Sequence, residues 1–134
     1  MPSPKPVDAI TLFVEDLTEV KRFYQEVFGL PVVFEDANSA VFKFQNVLIN
    51  LLKNEAAVEL IEPALVAERE TGSRFQLTIP VDDVDQICGR LKSSGIDLVN
   101  GPMNRPWGIR TAAFKDPGGH IWEIAQPLEK AAGG

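Results

Sequence analysis

Alternating apolar and polar positions divide this chain into two runs built on the same plan. Asp8–Val14 (DAITLFV) repeats with period two, placing Ile10, Leu12 and Val14 on one face of a strand and Ala9, Thr11 and Phe13 on the other. The period then lengthens to that of a helix, with Leu17, Val20, Phe23 or Tyr24, and Val27 or Phe28 recurring along one stripe. Asp16 with Glu19 three residues later forms a capping-box start, and Gly29 offers the left-handed residue that ends a helix. Leu30–Phe34, Ala40–Phe44 and Val47–Leu52 read as three strands joined by turns at Asp36–Ser39 and Gln45-Asn46. Glu59–Ser73 is acidic and weakly patterned, and is expected to be a long loop carrying a short helix.

The plan then starts again. Phe75–Val81 alternates as a strand, and Asp82-Asp83-Val84-Asp85 opens a helix whose stripe is Val84, Ile87, Cys88 and Leu91. Gly95 stops it, Ile96–Val99 follows as a strand, and Gly101–Gly108 reads as a Pro/Gly-rich connection. Ile109–Lys115 leads into Asp116-Pro117-Gly118-Gly119, a dense turn signal that predicts a tight hairpin returning along His120–Ala125. On that last strand Glu123 points away from Trp122 and Ile124, so a carboxylate stands in the middle of an apolar strand. The Pro-rich Met1–Pro6 and the tail after Pro127 are expected to be frayed or disordered.

The restart is a repeat that can be followed by position. Val14–Leu17 corresponds to Val81–Val84 at an offset of 67 residues, and Gly29–Val33 to Gly95–Val99 at 66. Phe42-Lys43 corresponds to Phe114-Lys115 at 72, and Leu48–Leu51 to Ile121–Ile124 at 73. The drift falls in loops, where insertions cost little. The expected fold is therefore α+β, with two βαβββ modules at about 7–54 and 74–127 in one domain spanning 1–134. The modules are expected to form a curved mixed sheet with the helices on its convex face.

Composition narrows the function. A net charge of −6 disfavours nucleic acid and anionic membranes as partners, and no apolar run approaches the roughly 20 residues of a membrane span. The opening MPSPKPVD has no apolar core of a secretion signal, and the lone Cys88 has no partner for an internal disulfide. Both suit a cytoplasmic protein. A single histidine excludes any site built from several.

Four stretches, FVEDL…FYQEVFGL, the restart VDDVD and the close FKDPGGHIWEI, set in two βαβββ modules, resemble the glyoxalase/bleomycin-resistance/extradiol-dioxygenase (vicinal oxygen chelate) superfamily from about Asp8 to Gln126. In metal-dependent members of that family the ligands come from the first and fourth strands of each module, positions that fall here on Ala9, Asn50, Gln76 and Glu123. The resemblance puts all four on one concave surface. This set departs from the family pattern, since Ala9 has no donor atom and Asn50 and Gln76 offer neutral amide oxygens. No metal and no other cofactor is therefore expected.

Glu123 is the candidate catalytic residue, a lone carboxylate able to act as a base or as a receptor for a cation. The alternative is a solvated side chain, or one neutralised by Arg110 or Arg74. Thr11, Phe13, Asn50, Gln76 and Thr78 are expected to line the ligand's surface, with Asn50 and Gln76 bonding either a ligand, or each other or water. Trp107-Gly108-Ile109-Arg110 is similar to a Pro-Trp-Gly segment of drug-binding members of the family. Trp107 is thus a candidate for stacking and Arg110 for an anion or for Glu123; the alternative is an aromatic packing its loop. His120 at the hairpin corner reads as solvent-facing or structural, and Cys88 and Trp122 as core.

Three functions follow. The first is a metal-free protein that binds a small organic molecule, sequestering a drug or metabolite as in antibiotic resistance. The second is a metal-dependent lyase, isomerase or dioxygenase, and the third a metal-free enzyme using Glu123 as general base. A homodimer is expected as well, because open strand edges and an apolar concave face that includes Phe13, Leu48 and Leu52 need cover.

Overall fold

A computed structural model describes residues 3–129; the parts of the terminal expectations that fall on 1–2 and 130–134 lie outside the described residues. The chain folds as α+β from eight strands and three α-helices, in the order β1 (Ala9–Val14), α1 (Leu17–Glu26), β2 (Val32–Glu35), β3 (Ser39–Lys43), β4 (Leu48–Lys53), α2 (Asn54–Ile61), β5 (Gln76–Pro80), α3 (Val84–Ser93), β6 (Leu98–Asn104), β7 (Ile109–Lys115) and β8 (Ile121–Pro127). A 3-10 turn, Arg69–Thr71, lies between α2 and β5. The chain divides into two compact units, the first ending at Gly72 and the second beginning at Ser73, and each holds one βαβββ module.

In the first module the sheet order is β1-β4-β3-β2, with β1 and β4 parallel and the remaining pairs antiparallel. The second repeats it as β5-β8-β7-β6. Thr11 sits opposite Asn50 in one module and Thr78 opposite Glu123 in the other, so repeat-equivalent positions pair alike in the two sheets.

Apolar burial follows the strand alternation. In the first module Leu12, Val14, Ala40, Phe42, Ile49 and Leu51 are buried beneath Leu17, Val20 and Tyr24 of α1. Tyr24 is the centre of an aromatic cluster, 5.3 Å from Phe42 and 5.1 Å from Phe28 between ring centroids. In the second, Ala112, Phe114, Trp122 and Ile124 are buried with Val84, Cys88 and Leu91 of α3. Each such fully buried side chain removes enough apolar surface from water to be worth roughly 1.5–3 kcal/mol. Cys88 and Trp122 are core residues, as expected.

The helix punctuation is local chemistry. Asp16 accepts from the Glu19 amide at 3.1 Å, and Asp83 accepts from the Gln86 amide at 3.1 Å, so both helices begin on a side-chain cap. At the end of α3 the Gly95 amide donates to Lys92 and the Ile96 amide to Leu91, a Schellman closure with Gly95 at φ +79°.

Two sequence expectations are corrected. The segment Glu59–Ser73 holds the last turn of α2 and the short 3-10 helix Arg69–Thr71, but most of the helix, Asn54–Ile61, precedes it and starts directly where β4 ends. Its N-cap is Lys53, with no side-chain hydrogen bond, so the usual start signal is missing; burial of Ala57 against the sheet holds it. The connection expected from Gly101 is strand as far as Asn104, because β6 continues through Gly101-Pro102, with its register to β7 shifting between Leu98 and Asn100 and again across Gly101-Pro102. Gly101 has φ +87°, and a Cβ there would lie 2.5 Å from the Thr111 carbonyl oxygen, so only glycine lets the two backbones approach this closely.

Candidate functional site

The β7–β8 hairpin is built around Asp116. Its side chain is buried, and Oδ1 accepts from the amides of Gly118 at 2.9 Å and His120 at 3.0 Å. His120 Nδ1 lies 3.0 Å from the same oxygen, and the indole of Trp122 donates to Oδ2 at 3.2 Å. So many donors satisfy the acceptor capacity of a carboxylate held out of water. His120 is thereby a structural residue, and Trp122 is fixed in the core. The consequence for β8 is that Glu123, one residue on, must face away from α3.

Glu123 meets Thr78 there, whose hydroxyl donates to Glu123 Oε1 at 3.1 Å. This is the carboxylate's one hydrogen bond among the described residues. The row of paired residues across the second sheet reads Asn100, Ala113, Glu123, Thr78 from β6 to β5. Ala113 is a small, buried floor beside Glu123. Gln76, at the start of β5 in register with Ile121, is exposed and lies on the same face.

Arg110 is not part of that face. It pairs in register with Gln126 on the α3 side, where its guanidinium forks onto Asp85 at 2.8 and 2.9 Å and reaches Asn104 at 2.9 Å. The hydrogen-bonded guanidinium holds Asp85 below the ordinary aspartate range, and the carboxylate in turn raises Arg110. Gln126 beside it accepts from the Val84 amide at the start of α3. The expectation that Arg110 binds an anionic ligand or neutralises Glu123 is corrected: Asp85 already occupies it.

Trp107 stands exposed at the β6–β7 corner, 67% accessible, with the guanidinium carbon of Arg105 5.8 Å from its ring centroid. The sequence reading passed over Arg105. Its Nε donates to Thr111 Oγ1 at 3.0 Å, and its Nη2 lies 3.5 Å from Asn100 Oδ1. The corner is fixed by the Arg105 amide donating to Ile109 and the Gly108 amide to Arg105, a turn with Pro106 and Trp107 at its centre. An arginine opening such a turn beside an aromatic is the signal that could have found it.

In the first module Thr11, Phe13 and Asn50 lie on the face opposite α1, all partly buried. Asn50 Oδ1 is buried with no hydrogen-bond partner, an acceptor waiting for a donor from water or ligand. Ala9 is exposed at the start of β1.

The family's metal positions can be tested against these residues. The first module offers Ala9, with no donor, and a neutral amide; the second offers a neutral amide and one carboxylate already bonded to a hydroxyl. Among the described residues no three His, Cys, Asp or Glu side chains are grouped as a metal's ligands. Such donors do not fit a zinc, iron or nickel centre.

The comparisons agree with this fold. The family described as "Glyoxalase/Bleomycin resistance protein/Dioxygenase superfamily" matches residues 7–124. Uncharacterized protein YraH of Bacillus subtilis is 32% identical over 89% of this chain and 96% of its own. Virulence protein STM3117 of Salmonella typhimurium is 31% identical over 90% of this chain and 83% of its own, and its crystal structure superposes with a TM-score of 0.70. The crystal structure of TnmS3, an antibiotic binding protein from Streptomyces sp. CB03234, matches at 27% identity with a TM-score of 0.71 over 95% of this chain and 98% of that one. With its paired βαβββ modules and a family match across nearly its whole length, the chain belongs to the glyoxalase/bleomycin resistance protein/dioxygenase superfamily.

Proposed function

We propose that this protein binds a small organic molecule on the sheet face of the second module turned away from α3, without a resident metal, and serves to sequester a drug or metabolite. The Thr78–Glu123 pair carries the reading. One hydroxyl orients the carboxylate through Oε1, and Oε2 keeps its full capacity to accept from a ligand's N–H or O–H. In the first module, taken by itself, the buried and unsatisfied oxygen of Asn50 is a second acceptor able to take a polar group. The likeness to TnmS3, an antibiotic binding protein, points the same way.

The test is a thermal-shift screen with small aromatic amines, amides and carboxylates. Probes that raise the melting temperature of the wild type should raise it less in Glu123→Gln. A chain that no probe stabilises would sink the reading. So would stoichiometric metal in protein purified without chelator, if that metal is lost in Glu123→Ala.

A homodimer belongs to the same proposal. The outer strand β2 leaves one edge unpaired and exposes Val33 and Phe34 at 53% and 58%, a surface that a twofold partner can cover. Sedimentation at micromolar concentration should then give twice the 14.7 kDa chain mass, and a monomer at all concentrations would remove the dimer.

A further inference from the structure

Two arginines five residues apart have opposite fates. Arg110 is neutralised by the fork of Asp85. Arg105 is held only by neutral groups, namely the Thr111 hydroxyl, the Asn100 amide oxygen and the ring face of Trp107. No carboxylate lies within salt-bridge distance of it among the described residues. Thr111 is wholly buried, so the Nε end of the guanidinium is anchored against the sheet. Two of its five N–H groups are committed, which leaves three, including both on Nη1, for a further acceptor. A guanidinium oriented in advance and short of a counter-charge is an anion receptor.

Its position relates it to Glu123. Asn100, Ala113 and Glu123 occupy one row on β6, β7 and β8, and Thr111 lies two residues along β7 from Ala113 on the same face. With strands about 4.8 Å apart, Asn100 and Glu123 stand on the order of 10 Å from each other across the small floor of Ala113. We propose that Arg105 anchors a carboxylate group of the ligand, so that the molecule bound is a small organic acid lying over Ala113, with a hydrogen-bond donor toward Glu123. This rests on the reading that the face away from α3 binds a small molecule. The side chain of Trp107 backs the guanidinium and reports its occupation.

The experiment compares benzoate, benzamide, benzylamine and inorganic phosphate by the quenching of Trp107 fluorescence and by thermal shift. Trp107 and buried Trp122 are the chain's two tryptophans, so Trp107→Phe identifies the responding one. Benzoate should bind at least about tenfold more tightly than benzamide. Arg105→Gln should abolish that preference, Arg105→Lys should restore part of it, and Arg110→Gln should leave it intact. Equal responses to benzoate and benzamide, or a preference surviving in Arg105→Gln, would overturn the proposal. Phosphate binding more tightly than benzoate would overturn the organic-acid assignment. Binding of benzylamine or benzamide alone, weakened by Glu123→Gln, would overturn the Arg105 proposal and keep the binding reading. Silence from every probe would overturn both.

Discussion

The hydroxyl of Thr78 lies 3.1 Å from Glu123 Oε1, bridging β5 and β8 on the sheet face turned away from α3. The bond is partly open to water, so its net worth to folding is about 1 kcal/mol or less. Thr78→Val should therefore shift the urea midpoint only slightly. It should reduce the thermal shift given by any ligand that Glu123 holds, because the carboxylate loses its fixed orientation. A large loss of stability with unchanged ligand response would show the bond to be structural only.

Asp116 is the opposite case. It is 3% exposed and serves two backbone amides, the His120 ring and the Trp122 indole. Asp116→Ala leaves the buried Trp122 indole and the part-buried donors of Gly118 and His120 without their acceptor and should cost roughly 2–4 kcal/mol in chemical denaturation. His120→Ala, which leaves the other donors bonded, should cost distinctly less.

Gly101→Ala places a methyl 2.5 Å from the Thr111 carbonyl oxygen at a φ of +87°. Neither the backbone contact nor the dihedral can relax without moving β6 from β7. The expected loss is roughly 2 kcal/mol or more, seen as a lowered melting temperature. Gly108→Ala, where a Cβ meets nothing within 4 Å, should show only the cost of its positive φ.

Asp85 predicts the sign of one pH effect. Its folded-state value is lowered by the Arg110 hydrogen bond, so the pair's contribution is complete above the ordinary aspartate value of 3.8. It is lost as pH falls through the lower folded value. Thermal melts of the wild type and Asp85→Asn should therefore differ at neutral pH and converge toward pH 2–3. Curves that remain parallel across that window would remove the assignment.

The sequence by itself determined the elements and their faces. Period-two alternation placed Glu123 on one side of its strand and Trp122 and Ile124 on the other, and the repeat offsets made Asn50 the counterpart of Glu123; the sheet then pairs Thr11 with Asn50 as it pairs Thr78 with Glu123. Caps at Asp16 and Asp83 and the stop at Gly95 were legible because each is decided within four residues. The start of α2 was not, since no side chain caps it and its burial depends on a sheet formed elsewhere. The passage of β6 through Gly101-Pro102 likewise depends on β7 coming close enough to exclude a Cβ. The partners of the two arginines were decided only by the tertiary structure. Arg110 and Asp85 are 25 residues apart and meet because α3 packs on β7; Arg105 turns back along its own hairpin to Thr111 and Asn100. Long charged side chains reach in any direction from their backbone. The sequence therefore fixes that a charge is present, and only the packed sheet fixes whether that charge is spent on the fold or left for a ligand.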